Sequence, residues 1–170
     1  MRAYMGLTCK PGSYIIVLKA LLRMFADQRD IFLMFGPVDI LIQFNDLKNV
    51  EEFKEKWFNP IRMIGSENNL ITKTLTLTAI SEGPELTEKP FAFVFLNTKP
   101  KNLETIRTTL LAIPTVLSAD SVFGPFDVIC SVKAEDNEEL ERLVSVIQQI
   151  SGIESSITSI VAAVDILPDY

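Results

Sequence analysis

Phe35-Gly36-Pro37-Val38-Asp39-Ile40 and Phe123-Gly124-Pro125-Phe126-Asp127-Val128 are one phrase written twice. Each copy lies between two strand-like apolar runs, so each reads as a tight turn. Gly supplies the backbone freedom that such a turn needs, and Pro presets its own φ. The copies stand 88 residues apart in a chain of 170, about half its length. A repeat on that scale predicts two units of like plan.

Working outward from the first turn, Asp30 to Phe35 and Val38 to Phe44 read as its flanking strands. Before them, Ala3 to Cys9 reads as a strand ended by Lys10-Pro11-Gly12. Ser13 is placed to cap a helix from Tyr14 to about Phe25, apolar on more than one side. After the turn, Asn49 with Glu52 three residues on predicts a capped helix carrying Val50, Phe53 and Trp57, interrupted at Asn59-Pro60. Ile61 to Ile64 adds a short helical turn. Leu70 to Ile80, rich in β-branched residues, predicts the closing strand.

The order then begins again beyond the Gly- and Pro-bearing stretch 81–89, which reads as a linker. Phe91 to Asn97 predicts a strand, and Asn102 is placed to cap a helix bearing Leu103, Ile106, Leu110 and Ile113. Val116 to Phe123 and Phe126 to Lys133 flank the second turn. Asp136 with Glu139 opens a helix whose stripe is Leu140, Leu143, Val144, Ile147 and Ile150, and Ile153 to Val164 closes the series. The reading is therefore α+β: two tandem ferredoxin-like βαββαβ repeats, residues 1–80 and 90–170 joined by 81–89. Each repeat alone would leave one sheet face bare, so the expected solution is sheet-to-sheet packing as an intrachain pseudo-dimer.

Composition narrows the function classes. The net charge is −6, with −1 over residues 1–88 and −5 over 89–170, which argues against a nucleic-acid surface. Histidine is absent, removing the side chain most used for proton transfer near neutral pH and the commonest metal ligand. No nucleophile–base pair, metal cluster or phosphate loop is visible, so no catalytic residue, metal or cofactor is expected. Cys9 and Cys130 sit inside apolar runs and read as reduced core residues of a cytoplasmic protein. The longest apolar run, Tyr14 to Leu22, contains Lys19 and is too short to span a bilayer. The mean hydropathy of +0.25 predicts an efficient core or apolar surface covered by another subunit.

The second half resembles the effector-binding module of the Lrp/AsnC transcription regulators, also called the RAM (regulation of amino acid metabolism) module. The resemblance rests on Val122-Phe123-Gly124-Pro125-Phe126-Asp127-Val128-Ile129, on Ala134 to Leu140, on Ile150-Ser151-Gly152-Ile153 and on Ser156 to Val161. Phe126 stands where the family pattern has Tyr. Residues 90–164 match well and 3–80 more loosely, departing at Pro60 and at Asn68-Asn69. Two departures from the regulators themselves are expected: the module is doubled, and no helix-turn-helix precedes it.

The resemblance implies a non-catalytic sensor of a small-molecule effector, an amino acid first of all. It implies homo-oligomers, acting through self-assembly or by pairing with full-length Lrp/AsnC regulators; the expected lack of a helix-turn-helix and the acidic balance predict no direct contact with nucleic acid, and the short apolar runs predict none with a membrane. The resemblance places the effector near the turns. The candidate ligand-binding residues are Gly36, Asp39, Thr74, Thr76, Gly124, Asp127, Ser156 and Thr158. Each has a plain structural alternative: turn geometry for the glycines, bonds to turn amides for the aspartates, β-propensity for the hydroxyl residues. The register between the two closing strands is open by two residues. Two other functions stay open: an enzyme on a dimeric α/β-barrel fold, of tetrapyrrole-handling or small-oxygenase type, and a structural protein that caps regulator oligomers.

Overall fold

A computed structural model describes residues 1–25, 31–66 and 68–162. Asp30 and residues 163–164, assigned to strands above, lie outside the described residues. The chain divides into two compact units, Met1–Thr78 joined by Ala162, and Ala79–Val161. Ala162 donates its N–H to the Leu33 carbonyl at 2.8 Å.

The first unit runs β1 (Ala3–Cys9), α1 (Tyr14–Met24), β2 (Ile31–Phe35), β3 (Ile40–Phe44), α2 (Val50–Phe53), a π-helical turn (Lys54–Phe58), α3 (Asn59–Ser66) and β4 (Ile71–Ser81). Its strands are antiparallel in the order β4-β1-β3-β2. The second unit runs β5 (Ala92–Thr98), a 3-10 turn (Pro100–Asn102), α4 (Leu103–Leu111), β6 (Val116–Phe123), β7 (Val128–Val132), α5 (Asn137–Gln148) and β8 (Ile153–Val161). Its order is β8-β5-β7-β6, again antiparallel. Each unit thus has the ferredoxin-like strand order, with the first and third strands central.

Strand periodicity sends alternate residues to opposite faces. Met5, Leu7, Ile40 and Ile42 pack with Val17, Leu21, Phe53 and Ile61 in the first unit. Val94, Leu96, Val128 and Cys130 pack with Ile106, Leu110, Leu143 and Ile147 in the second. The residues between them, such as Tyr4, Leu41, Phe93 and Ile129, are buried as well. Burial on both faces explains why β1, β3, β5 and β7 read as nearly continuous apolar runs rather than alternating ones.

Two helix starts are built alike. Asn49 Oδ1 accepts from Glu52 N–H at 2.8 Å, and Glu52 Oε2 accepts from Lys48 N–H at 2.7 Å. Asp136 Oδ1 accepts from Glu139 N–H at 2.8 Å, and Glu139 Oε2 accepts from Glu135 N–H at 2.8 Å. In both, the glutamate reaches one residue beyond the usual capping box. Asn49→Ala and Asp136→Ala are each expected to lower stability by ~1 kcal/mol, read as a lower urea midpoint with unchanged slope.

Other sequence expectations are corrected. Ser13 makes no capping bond; its hydroxyl donates to the Lys10 and Leu70 carbonyls at 2.7 and 3.1 Å. Asn102 makes none either, because Pro100–Asn102 already winds as a 3-10 turn, and its side chain lies against Gly152. Pro60 does not interrupt its helix. The backbone widens to a π turn over Lys54–Phe58, where Asn59 N–H bonds the Lys54 carbonyl, and helix continues through Pro60. Widening before a proline relieves the clash with the preceding turn and removes the need for its missing N–H. β3 and β7 begin at Ile40 and Val128, two residues later than expected, because the turns hold Val38-Asp39 and Phe126-Asp127 out of the ladders.

Candidate functional site

Both Gly-Pro turns are anchored by the aspartate that follows them. Gly36 and Gly124 have φ of 156° and 151°, a sign that side-chain-bearing residues avoid and glycine does not. The chain then returns so that Asp39 N–H donates to the Leu7 carbonyl at 2.8 Å, and Asp127 N–H donates to the Leu96 carbonyl at 2.9 Å. Met34 and Val122 donate to the carbonyls of the same aspartates at 2.8 and 2.9 Å.

The carboxylates reach the end of the neighbouring strand. Asp39 Oδ2 accepts from Cys9 N–H at 2.7 Å, and Asp127 Oδ2 accepts from Thr98 N–H at 2.8 Å. At these residues the ladders break: β1 shifts register against β4 between Thr8 and Cys9, and β5 against β8 between Asn97 and Thr98. A bulge disrupts the local ladder, and the carboxylate gives the amide beside it a partner. The structural alternative drawn from the sequence had these carboxylates on the turn's own amides; their bond goes to the adjacent strand instead. One carboxylate oxygen at each site is thereby engaged.

The hydroxyl residues fall elsewhere. Thr74 lies opposite Leu7 and Thr76 opposite Met5. Ser156 lies opposite Leu96 and Thr158 opposite Val94. Thr74 therefore corresponds to Ser156 and Thr76 to Thr158, a register the sequence had left open. All four share the sheet face that carries the helix-packed core residues. Ser156 Oγ accepts from Gln148 Nε2 at 2.7 Å. β1 stands between the first turn and Thr74, and β5 between the second turn and Ser156, so each pair of sets is ~10 Å apart by strand spacing. The fold brings Gly36 to Asp39, Gly124 to Asp127, Thr74 to Thr76 and Ser156 to Thr158. It does not bring a turn and its hydroxyl pair together within one unit.

Sequence reading missed a buried polar set. Arg2 is 2% exposed, its Nε donating to Asn45 Oδ1 at 2.9 Å, and Gln43 Nε2 donates to the same oxygen at 3.1 Å. In the second unit Ser118, Asp120, Ser131 and Ser159 are buried on the face away from the helices. The hydroxyls of Ser131, Ser159 and Thr98 and the Gln43 carbonyl oxygen have no hydrogen-bond partner. The available signal was the polar residue recurring in apolar β6, Ser118 then Asp120.

The two thiols are held in their neutral form. Burial first, and the Asp39 charge second, push Cys9 up to about 11. Burial and then Asp120 push Cys130 up to about 12. Neither is expected to react with an aromatic disulfide reagent at pH 8 in the native protein, since the thiolate is the nucleophile. Unfolded thiols ionise near pH ~8.5. The stability these protonated thiols contribute is therefore complete below that pH and is lost as pH rises through about 11 and about 12. Alkaline denaturation midpoints against pH check the sign. Among the described residues, no group of three His, Cys, Asp or Glu side chains could hold a metal ion, and no helix is long and apolar enough to cross a membrane.

The model of the Lrp/AsnC ligand binding domain matches residues 91–164. The HTH-type transcriptional regulator FL11 of Pyrococcus horikoshii is 25% identical over 95 residues, which are 56% of this chain and 61% of that one. The chain thus spans about three fifths of the regulator it matches. Among solved structures, TTHA0845 from Thermus thermophilus is 29% identical over 42% of this chain and 90% of its own, with a TM-score of 0.40. The siroheme decarboxylase NirDL, solved with an iron-uroporphyrin III analogue, covers 96% of this chain and 71% of its own at a TM-score of 0.68 and 7% identity, a likeness of fold alone.

Proposed function

We propose that the chain is a non-catalytic effector sensor of the Lrp/AsnC type, built from two tandem copies of the ligand-binding module, and that its effector is an amino acid. The observation that carries the reading is the match of that ligand-binding domain to residues 91–164, which contain the anchored turn at Gly124-Pro125. The reading includes the sheet-to-sheet pairing of the two copies that the resemblance implies.

The output is self-association, or pairing with full-length regulators, rather than direct DNA binding. The net charge of −5 over residues 89–170 supports the last point. Phe35 and Phe123, at the same place before each turn, are 63% and 76% exposed, which supports assembly through apolar tips. The absence of histidine favours a sensor over an enzyme.

A thermal-shift screen of the twenty amino acids at millimolar concentration tests the reading. At about 100 times Kd a ligand stabilises by about 2.7 kcal/mol, so at least one amino acid is expected to raise Tm by several degrees. A flat screen on protein shown to carry no copurified ligand would remove the amino-acid reading.

A further inference from the structure

Three positions set the two turns apart. Gly6 lies opposite Leu75 and Phe95 opposite Ile157, while Val38 and Phe126 each precede the anchoring aspartate. The register thus makes Gly6, Val38 and Leu75 the counterparts of Phe95, Phe126 and Ile157.

In the first unit the side chains close over the glycine. A Cβ at Gly6 would lie 2.9 Å from Val38 Cγ1 and 3.3 Å from Leu75 Cβ. Val38 is 4% exposed, so this turn offers no apolar surface from its middle residue. In the second unit Phe95 stands at the position that corresponds to Gly6 and is fully buried. Phe126 packs on it with 5.2 Å between ring centroids and planes tilted by 42°. Phe126 is half-exposed, and Ile157 is 40% exposed on the other side of Phe95.

We propose that the chain has one effector site, at the second turn, and that its ligand carries an aromatic or branched apolar side chain. That side chain lies on Phe126 and Ile157, which flank the buried Phe95, where it loses apolar surface to water and gains contact with the Phe126 ring. Asp127, beside this shelf, has committed Oδ2 to the Thr98 amide, which leaves Oδ1 for a ligand ammonium. The first turn, closed by Val38, serves structure alone. This inference rests on the effector reading and adds the number of sites and the chemistry of the ligand.

Isothermal titration of the full chain with L-phenylalanine, L-leucine, L-aspartate and L-lysine tests it. The expected result is one bound apolar amino acid per chain, with the two charged ones at least about tenfold weaker. Ile157→Ser, at a position exposed enough to leave the fold intact, is expected to weaken binding about tenfold, and Phe126→Ala at least as much. Val38→Ala is expected to change affinity less than about twofold, because it lies away from the site. Circular dichroism checks that each variant is folded. Two ligands per chain, a preference for L-aspartate or L-lysine, or unchanged affinity in Ile157→Ser would overturn the single apolar site while leaving the effector reading in place. No binding in these titrations together with a flat thermal-shift screen of all twenty amino acids would overturn both.

Discussion

Asp127→Ala is expected to destabilise the protein by about 2 kcal/mol and to lower Tm by roughly 4–8 °C. The carboxylate accepts the Thr98 amide at 2.8 Å where β5 bulges, and its own backbone bonds Leu96 and Val122. Alanine keeps the backbone bonds and orphans the Thr98 N–H in a half-buried place. Hydrogen bonds to a charged group contribute more than neutral ones, which sets the size of the loss. The amide of an Asp127→Asn variant would keep an acceptor oxygen, so that substitution should lose less than half as much. Asp39→Ala should match Asp127→Ala in sign and scale, because Cys9 is held in the same way at 2.7 Å. Urea denaturation of the three variants measures this. A loss below about 0.5 kcal/mol for Asp127→Ala would mean that water replaces the carboxylate and that the anchor is incidental.

Gly83→Ala is the second large effect, expected at about 3 kcal/mol. A Cβ there would lie 2.7 Å from Ser118 Oγ and 2.8 Å from both the N and O of Ala119. Two of those three contacts are backbone of β6, which cannot turn aside as a flexible side chain would. The segment must back away instead. Retreat pulls Gly83 N–H from Asp120 Oδ1 and the Pro84 carbonyl from Ser118 Oγ, both now at 2.7 Å. Overpacking costs about 1–3 kcal/mol, and disturbing a bond to the fully buried Asp120 carboxylate adds to it. The same retreat should expose 81–89 to proteases, so limited proteolysis gives an independent readout. A variant as stable and as resistant as the parent would show that the stretch is not held against β6.

The residues that spoke clearly in the sequence were those whose physics is local. The Gly-Pro turns, the helix starts at Asn49 and Asp136, and the stripe Leu140, Leu143, Ile147 depend on spacings of a few residues, and each was legible. What was not legible depends on partners far along the chain. Asp39 and Asp127 looked like turn residues that bond their own amides; their partners are 30 and 29 residues upstream, at bulges with no sequence mark. Pro60 looked like a helix stop, because proline's steric rule is local, whereas widening to a π turn lets the helix and its aromatic face continue. There Trp57 stacks on Phe25 at 4.8 Å and packs against Phe44 at 5.6 Å. The stretch 81–89 has linker composition, yet its Gly83 and Pro84 are tied to β6 by two side chains that no short motif connects to them. The correspondence of Thr74 to Ser156 needed the strand register, which a slip of two residues leaves unchanged in pattern. The difference between Gly6 and Phe95 was visible as letters, and acquired meaning only when Val38 and Phe126 were seen to lie over them.

Whether the effector binds at the second turn is tested most directly by an amide NMR titration of the isotope-labelled full chain. The titrant is a pool of the twenty amino acids, deconvoluted afterwards. Saturable shifts are expected at Gly124, Phe126 and Asp127, with the amides of Gly36, Val38 and Asp39 unmoved. Saturable shifts confined to residues outside 123–127, or no saturable shift anywhere in a protein shown to be folded and free of ligand, would contradict a site at that turn.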